Sequence, residues 1–257
     1  MPLRRELQAI VDLRGAARVL HPGAELYSQG ESCNSYFIVL SSWVALSTLL
    51  SDGDCLILDF ALPGAFLGLP LISRTRMYHS ARCLTPVQVC AYRRPLLQDI
   101  VEHNPKLACL LCRWATFEEA RTHDHLINLG LRSARERIAH LILELYVRFH
   151  GRAPARAGET LELPLTQAHI GQATGLTGVH VSRTFRTLRE QGIVRLANHN
   201  VEILDPAALM RAAGLEHETG YDHGPKQHRE RFGRYPRIPS DTDWSPPVGW
   251  LPNALVA

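Results

Sequence analysis

Residues 165–196 combine two short helical patterns with a glycine turn, and few folds accommodate that combination. Thr166 can cap a first helix over 167–174. Gly175 then stands where the chain must turn sharply, a position that favours positive φ. Thr177 can cap a second helix, whose inner face would carry Val181, Phe185 and Leu188. The pattern predicts a helix-turn-helix.

The second helix carries polar and basic side chains on its outer face. A helix-turn-helix places the N-terminal residues of its second helix against base edges in the major groove of DNA. Arg183 can pair with guanine, and Val179 can contact a thymine methyl group. The predicted DNA contacts are Gln167, Thr177, Val179, His180, Ser182, Arg183 and Arg186. The alternative for the same pattern is a helical hairpin that only packs against the core.

A strand, a tight turn and a second strand are predicted directly after this pair of helices, over 192–204. Such a hairpin is the wing of a winged helix. Between Leu163 and Asn200 four arginines and one glutamate give a local charge of +3, which equals the net charge of the whole chain. The positive charge is therefore concentrated on the predicted DNA-binding module.

The first half of the chain follows a different pattern. Residues from about 18 to 95 form short strand-like runs separated by turn signals, of which Asp52-Gly53 is typical of a hairpin. Strands are predicted at 36–40, 44–49, 56–60 and 87–92. Their spacing of about ten residues predicts an antiparallel β-roll or jelly roll.

Helices are predicted from residue 95 onward. A short helix over 95–104 precedes a long one of about 25 residues, or ~38 Å. Positions 107, 111, 114, 117, 120, 124, 127 and 131 recur along one face of it. This face either packs on its own β-domain or forms a two-stranded coiled coil. Gly130 is expected to break the helix, and Ser133 with Glu136 forms a capping box that starts the next one.

Composition excludes several classes of protein. The chain of 257 residues is 46% hydrophobic, which excludes disorder over its whole length. It has neither an apolar run of membrane-spanning length nor an N-terminal secretory signal, so we expect a cytoplasmic protein without membrane contact. No glycine-rich phosphate loop, hydrolase elbow or paired-carboxylate motif is present, and an enzyme is not predicted. A cupin-like enzyme would need clustered histidines on strands, and the predicted strands lack them.

The six cysteines are expected to be reduced thiols, with Cys83 and Cys90 buried in strands. Cys109 and Cys112 form a Cys-x-x-Cys on the long helix. They are either small apolar residues beside a dimer seam or a redox or metal control point. His123 and His125 on the same helix are expected to be solvated.

The order of β-roll, long helix and winged helix resembles the Crp/Fnr family of bacterial transcription regulators over about residues 10–214. The segment Leu-Thr-Gly-Val-His-Val-Ser-Arg-Thr-Phe at 176–185 is similar to the recognition helix of the family, and Pro-Gly-Ala-Phe-Leu-Gly at 63–68 is similar to its cyclic-nucleotide-binding-like roll. Many members carry a glutamate at the position of Val179, so the half-site is expected to differ here. The fold class implied is α+β.

The resemblance implies a domain order and a set of partners. Residues 1–102 would form the β-roll sensor domain, 103–131 the dimerisation helix, 132–214 the winged helix-turn-helix and 215–257 a disordered proline-rich tail. The implied partners are double-stranded DNA carrying a palindrome, a second copy of the chain, and RNA polymerase at promoters. The implied dimer seam contains Leu107, Leu111, Trp114 and Phe117.

The resemblance also indicates which effectors the β-roll is expected to bind or not to bind. Cyclic-nucleotide-binding members place a Gly-Glu pair on the ribose and an Arg-Ser/Thr-Ala on the phosphate, whereas this chain has Gly68-Leu69 and His79-Ser80-Ala81. We therefore predict no tight cyclic-nucleotide binding, although these residues and Arg82 remain the candidate effector pocket. No cysteine precedes Cys33, unlike in iron–sulfur members, so no iron–sulfur cluster, metal or other cofactor is predicted. His21 and His79 are the haem-ligand candidates. The alternative function is a regulator whose DNA binding requires an unknown effector or cysteine oxidation.

Overall fold

The computed structural model describes residues 17–68, 76–103 and 105–215. The first part is a β-roll built from eight strands within these ranges. In chain order, β1 to β8 are Arg18–Leu20, Glu25–Tyr27, Ser35–Val39, Val44–Leu49, Cys55–Ala61, Phe66–Leu67, Ser80–Cys83 and Val87–Arg93. Two antiparallel sheets, ordered β1-β8-β3-β6 and β2-β7-β4-β5, enclose the core of the roll.

The four predicted strands are confirmed to within one residue at each end. Alternation explains why, because each strand turns alternate side chains into the roll. Val87 and Val89 on β8 are buried, while Gln88 between them is only half-buried. Cys83 and Cys90 are buried in strands, as predicted.

Six helices and three further strands follow within the described ranges. The helices α1 to α6 are Arg94–His103, Pro105–Leu131, Ala134–His150, Gln167–Thr174, Gly178–Glu190 and Pro206–Ala212, and the strands β9 to β11 are Glu159–Glu162, Val194–Ala197 and Asn200–Ile203. The observed architecture is the predicted α+β fold. No helix in the described ranges is long and apolar enough to cross a membrane.

The break predicted at Gly130 is wrong, because α2 continues through this residue to Leu131. An exposed glycine costs a helix only about 1 kcal/mol relative to alanine, so it does not by itself end one. The next helix starts at the predicted capping box. The Ser133 side chain accepts from the backbone N–H of Glu136, and the Glu136 carboxylate accepts from that of Ser133.

The long helix α2 presents two separate faces rather than the one predicted. Trp114 packs edge-on against Phe66 of its own β-roll, with ring centroids 5.8 Å apart, so we remove it from the predicted seam. Phe117 remains 38% exposed on a neighbouring face. Leu111 is half-buried, and the side chain of Leu107 lies outside the described residues.

Helix α3 is the central element of the second half. Every residue from Ile138 to Arg148 is buried, because the β-roll, α2 and the small helices surround it. Leu69 and the predicted tail, apart from Leu215, lie outside the described residues.

Candidate nucleic-acid interface

Helices α4 and α5 meet in a tight turn whose geometry depends on two glycines. A Cβ placed on Gly171 would lie 2.4 Å from the backbone oxygen of Leu176, so only glycine lets the two segments approach this closely. Gly175 ends α4 with a φ of 64°, as predicted. The predicted caps are also confirmed, because Thr166 and Thr177 each accept a hydrogen bond from a backbone N–H at the start of the helix that follows.

Replacing Gly171 with alanine is expected to destabilise the protein by about 1–3 kcal/mol, the usual cost of forcing an extra group into a packed site. The new Cβ meets backbone rather than a movable side chain, so the two helices must separate. Urea denaturation measures the change. Gly178→Ala is the control, because a Cβ at that helical position meets no atom within 4 Å. An unchanged midpoint in Gly171→Ala would contradict the close approach.

The outer face of α5 collects the side chains that were predicted to contact DNA. Three residues of the inner face, Val181, Phe185 and Leu188, are buried. The seven predicted contacts are exposed: Gln167, Thr177, Val179, His180, Ser182, Arg183 and Arg186. The Arg186 guanidinium donates to the Glu190 carboxylate over 2.8 Å, one helical turn further on. The helix therefore presents Arg183 near its N-terminal end, where a recognition helix approaches base edges.

A three-stranded antiparallel sheet, ordered β10-β11-β9, lies beside the two helices. Its outer hairpin turns at Asn198 and His199, both of which have positive φ, at 50° and 59°. Two consecutive left-handed residues are typical of the two-residue turns that match the twist of a hairpin. The predicted wing is therefore present, and the exposed His199 lies at its tip.

The candidate effector residues of the β-roll are engaged in local contacts. His79 Nε2 lies 2.9 Å from the Tyr27 hydroxyl, and burial lowers the pKa of His79, which favours a neutral ring. Ser80 Oγ accepts from the backbone N–H of Gln29 over 3.0 Å. Arg82 donates to Glu25 over 2.7 Å, with 60% of its side chain exposed. These contacts leave neither His79 nor Arg82 arranged as a positive partner for a phosphate inside the roll.

The backbone at Gly68 is also constrained. Its φ of 96° is accessible mainly to glycine, and a Cβ there would lie 3.2 Å from the backbone oxygen of Ser35. Gly68 therefore has a structural role at the end of β6, whichever ligand the roll binds.

Two family models match the chain, the cyclic nucleotide-binding domain over residues 17–104 and the Crp-like helix-turn-helix domain over residues 136–212. The nitrogen fixation regulation protein FixK of Bradyrhizobium diazoefficiens is 34% identical over 187 residues, which are 73% of this chain and 77% of that protein. This chain belongs to the Crp/Fnr family.

Further relatives of this Crp/Fnr protein agree with that assignment. The transcriptional activatory protein AadR of Rhodopseudomonas palustris is 32% identical over 188 residues, 72% of this chain and 76% of that protein. The structure of FixK2 from Bradyrhizobium japonicum superposes with a TM-score of 0.69 at 27% identity, covering 77% of this chain and 96% of that one. The resemblance predicted from the recognition-helix motif is confirmed.

This Crp/Fnr chain also contains a charged cluster that the sequence did not predict. It lies between the β-roll, α2 and α3, and we call it the interdomain ion cluster. Asp59 on β5 accepts from Arg121 on α2 and from Arg148 on α3, each over 2.7 Å. Its members are Asp59, Glu118, Arg121, His125, Glu144 and Arg148. Three acidic and three basic groups are present, so their charges cancel when all six are ionised.

His125 is a member of this cluster, so the expectation that it is solvated is wrong. Its Nε2 lies 2.8 Å from the Glu144 carboxylate and its Nδ1 lies 3.1 Å from the backbone oxygen of Leu58. Both partners are acceptors, so the ring must carry a proton on each nitrogen. Burial alone lowers the pKa of His125, but the charge of Glu144, the hydrogen bond to it and Asp59 together raise it to about 9. His123, in contrast, is exposed as expected.

The pKa values of the three acidic residues in the cluster depend on burial and on the same charged neighbours. Burial alone raises the pKa of Glu144, but His125 and Arg148 hold it well below its usual range. Burial also opposes ionisation of Asp59, yet Arg121 and Arg148 lower its pKa. Burial raises the pKa of Glu118, although its carboxylate pairs with Arg121.

Asp59, His125 and Glu144 also resemble a metal-binding set, because they offer ligand-type atoms within 4.8 Å of one another. The two guanidinium groups argue against that role. Arg121 and Arg148 already occupy the oxygens of Asp59, and their positive charges would repel a cation at this point. We interpret the three residues as ion-pair partners rather than metal ligands.

The titration of His125 gives a test of the cluster. A pKa raised from 6.5 to about 9 on folding stabilises the protein fully below pH 6.5, and the contribution is lost as pH rises through 9. The groups facing the ring are Glu144 and Arg148 on α3, Asp59 on β5, and Glu118 and Arg121 on α2. The free energy of unfolding is expected to fall by about 1–3 kcal/mol over this window.

Urea denaturation at a series of pH values measures this fall. His125→Gln should flatten the pH dependence above 6.5, whereas His123→Gln, at an exposed position on the same helix, should retain it. A wild-type protein whose stability is constant between pH 6.5 and 9.5 would contradict the charged state of His125.

Proposed function

We propose that this Crp/Fnr protein is a transcription regulator, not an enzyme, which binds a two-fold symmetric promoter site as a homodimer in the cytoplasm. The observation that carries the proposal is the exposed face of α5. Helix α5 follows the tight turn of the helix-turn-helix and lies beside the wing. Its exposed face presents Val179, Ser182 and Arg183 together. Guanidinium, hydroxyl and methyl groups in that arrangement suit the donor and acceptor pattern of a major groove.

The half-site should reflect the residues that this chain has on α5. Arg183 is the candidate for pairing with guanine, and Ser182 and His180 can donate or accept. Val179 offers only methyl groups, which favour a thymine and cannot accept from the amino group of cytosine. His180 would then be the additional polar reader at the N-terminal end of the helix.

The dimer is proposed from the second face of α2. Its apolar residues recur at the three- and four-residue spacing of a coiled coil, with Asp124 at the one polar position. Ile127 is 43% exposed and Leu131 is 84% exposed, although both are apolar. We name as the seam stripe Phe117, Ala120, Ile127 and Leu131. A second copy of the chain, related by two-fold symmetry, would cover this stripe and place two recognition helices on one palindrome.

We propose that DNA binding does not require a cyclic nucleotide. The support is the half-buried His79, whose pKa is lowered by burial and whose ring bonds the Tyr27 hydroxyl, together with the pairing of Arg82 with Glu25. Titration calorimetry of the protein with cyclic nucleotides is expected to give no measurable heat of binding up to about millimolar concentration. Micromolar affinity for a cyclic nucleotide would contradict this part of the proposal. We also infer no iron–sulfur cluster, and expect RNA polymerase to be the partner at the promoter.

Selection of sequences from a random duplex library by the purified, ligand-free protein tests the proposal. The selection is run in reducing and in oxidising buffer. A palindrome recovered in both indicates binding without an effector. Recovery in only one indicates control by cysteine oxidation, with the exposed Cys109 and Cys112 examined first by serine substitution. Failure to enrich any sequence in either buffer would contradict the proposed function.

A further inference from the structure

The β-roll contacts the DNA-binding segment along β5, which packs against α4 and also carries an acidic side chain, Asp59, that binds α2 and α3. Asp59 accepts from Arg148 on α3 and from Arg121 on α2, so one carboxylate binds one group from each of the two other segments. The carboxylate is 11% exposed, and the Arg148 side chain is fully buried. Breaking such a buried pair is costly, because removing one partner leaves the other charge buried and uncompensated.

Neighbouring contacts reinforce this connection on both sides of Asp59. Arg148 also donates to the backbone oxygen of Phe60 over 2.6 Å, and the His125 ring bonds the backbone oxygen of Leu58. Trp43 of the roll stacks on Phe149 of α3 at a centroid distance of 6.2 Å. Three consecutive residues of β5 are therefore attached to helices outside the roll.

The link between α2 and α3 is short, so the attachment of α3 controls where the DNA-binding module lies. Only Arg132 and Ser133 separate the two helices. Arg137 of α3 in turn donates to the backbone oxygen of Thr174 at the end of α4, which carries the orientation of α3 to the helix-turn-helix. The outer face of α5 stays exposed while these contacts are made.

We propose that Asp59 is the charged contact through which the β-roll fixes the orientation of the DNA-binding module, and that the attached arrangement is the one that presents both recognition helices to a palindrome. This inference rests on the proposed function. A change in the roll that moves β5 would shift Asp59 away from Arg148 and release the module. Release is not expected to disturb the helix-turn-helix itself, because the hydrogen bonds of its caps and turn do not involve Asp59.

Asp59→Asn in the full chain tests the inference. Affinity is measured by fluorescence anisotropy for the selected palindrome and for a duplex that carries one half-site. The variant is expected to bind the palindrome at least about tenfold more weakly, because fixed geometry is what makes the second half-site effectively intramolecular. Its half-site affinity should stay within about twofold of wild type. Amide hydrogen exchange around residues 131–134 should become faster.

Two further variants keep the test decisive. Asp54→Asn makes the same change of charge at an exposed residue in the same hairpin and should behave as wild type. If Asp59→Asn folds poorly, Asp59→Asn with Arg121→Gln removes one acid and one base together, so that the cluster stays neutral. This double variant should also lose the preference for the palindrome.

Three results would overturn the inference. They are palindrome affinity equal to wild type, a gain of palindrome affinity, or an equal loss on both duplexes. Failure of the proposed function is distinguishable from all three, since the wild-type protein itself would then select no sequence.

Discussion

Ile127→Asp is expected to convert the protein into a monomer and to weaken binding to the palindrome by at least about 100-fold, since an unpaired charge in a packed interface costs about 3–5 kcal/mol. Ile127 lies in the middle of the proposed seam stripe and is 43% exposed in the single chain. A monomer occupies the two half-sites independently, so the benefit of joint binding is lost. Sedimentation velocity measures the association state, and anisotropy measures the affinity.

Leu126→Asp is the matched control for this prediction. Leu126 is the preceding residue, is 62% exposed and lies about 100° away around the helix. The same charge at that position should leave the dimer intact. If both variants sediment as the wild-type protein does, the seam lies elsewhere on the chain.

Arg183→Ala is expected to weaken binding to the preferred site by about 1–3 kcal/mol per half-site and to relax the choice of base at one position. The reason is geometric, because Arg183 lies on the exposed face of the recognition helix near its N-terminal end. Repeating the library selection with the variant measures specificity, and anisotropy measures affinity. The two readouts separate base contact from phosphate contact.

Arg189→Ala is the control for charge. Arg189 lies in the last turn of the same helix, away from the end that approaches bases. Its loss should weaken binding to all sequences by a similar, smaller factor and leave the selected motif unchanged. An Arg183→Ala variant that behaves in this way would show that Arg183 contacts phosphate only.

The two helices of the helix-turn-helix could be predicted from the sequence because the signals that define them are local. Thr166, Gly175 and Thr177 fix the start of each helix and the turn within a dozen residues. The first helix has the predicted bounds, and the second starts directly after its predicted cap. The capping box at Ser133 was predicted for the same reason. The strands of the roll were predicted because apolar alternation and an Asp-Gly turn define them without reference to the rest of the chain.

The interdomain ion cluster could not be predicted in this way, because its partners are distant in sequence. Asp59 and Arg148 are 89 positions apart, and Asp59 and Arg121 are 62 positions apart. A partial signal was present in α2. Trp114, Arg121 and His125 are spaced by seven and four residues, so Arg121 and His125 lie on the helical face whose Trp114 packs on the β-roll.

The sequence pattern placed Trp114 and Phe117 on a single face of α2 for a related reason. Trp114 and Phe117 are both aromatic and three residues apart, and a helical pattern alone cannot assign one to the roll and the other to solvent. The distinction depends on Phe66, which belongs to a strand about 50 residues earlier in the chain. Only the assembled fold shows which apolar residues are already covered.

The most direct test of sequence recognition by a dimer compares two duplexes of equal length and composition at one fixed salt concentration. One carries the selected palindrome and the other a scrambled sequence, and both are titrated with the full-length, ligand-free protein. A specific regulator of this type is expected to prefer the palindrome by at least about 10³ in affinity, with two chains bound per duplex. Equal affinity for both duplexes, or specific binding of one chain only, would contradict a dimer that reads sequence through α5.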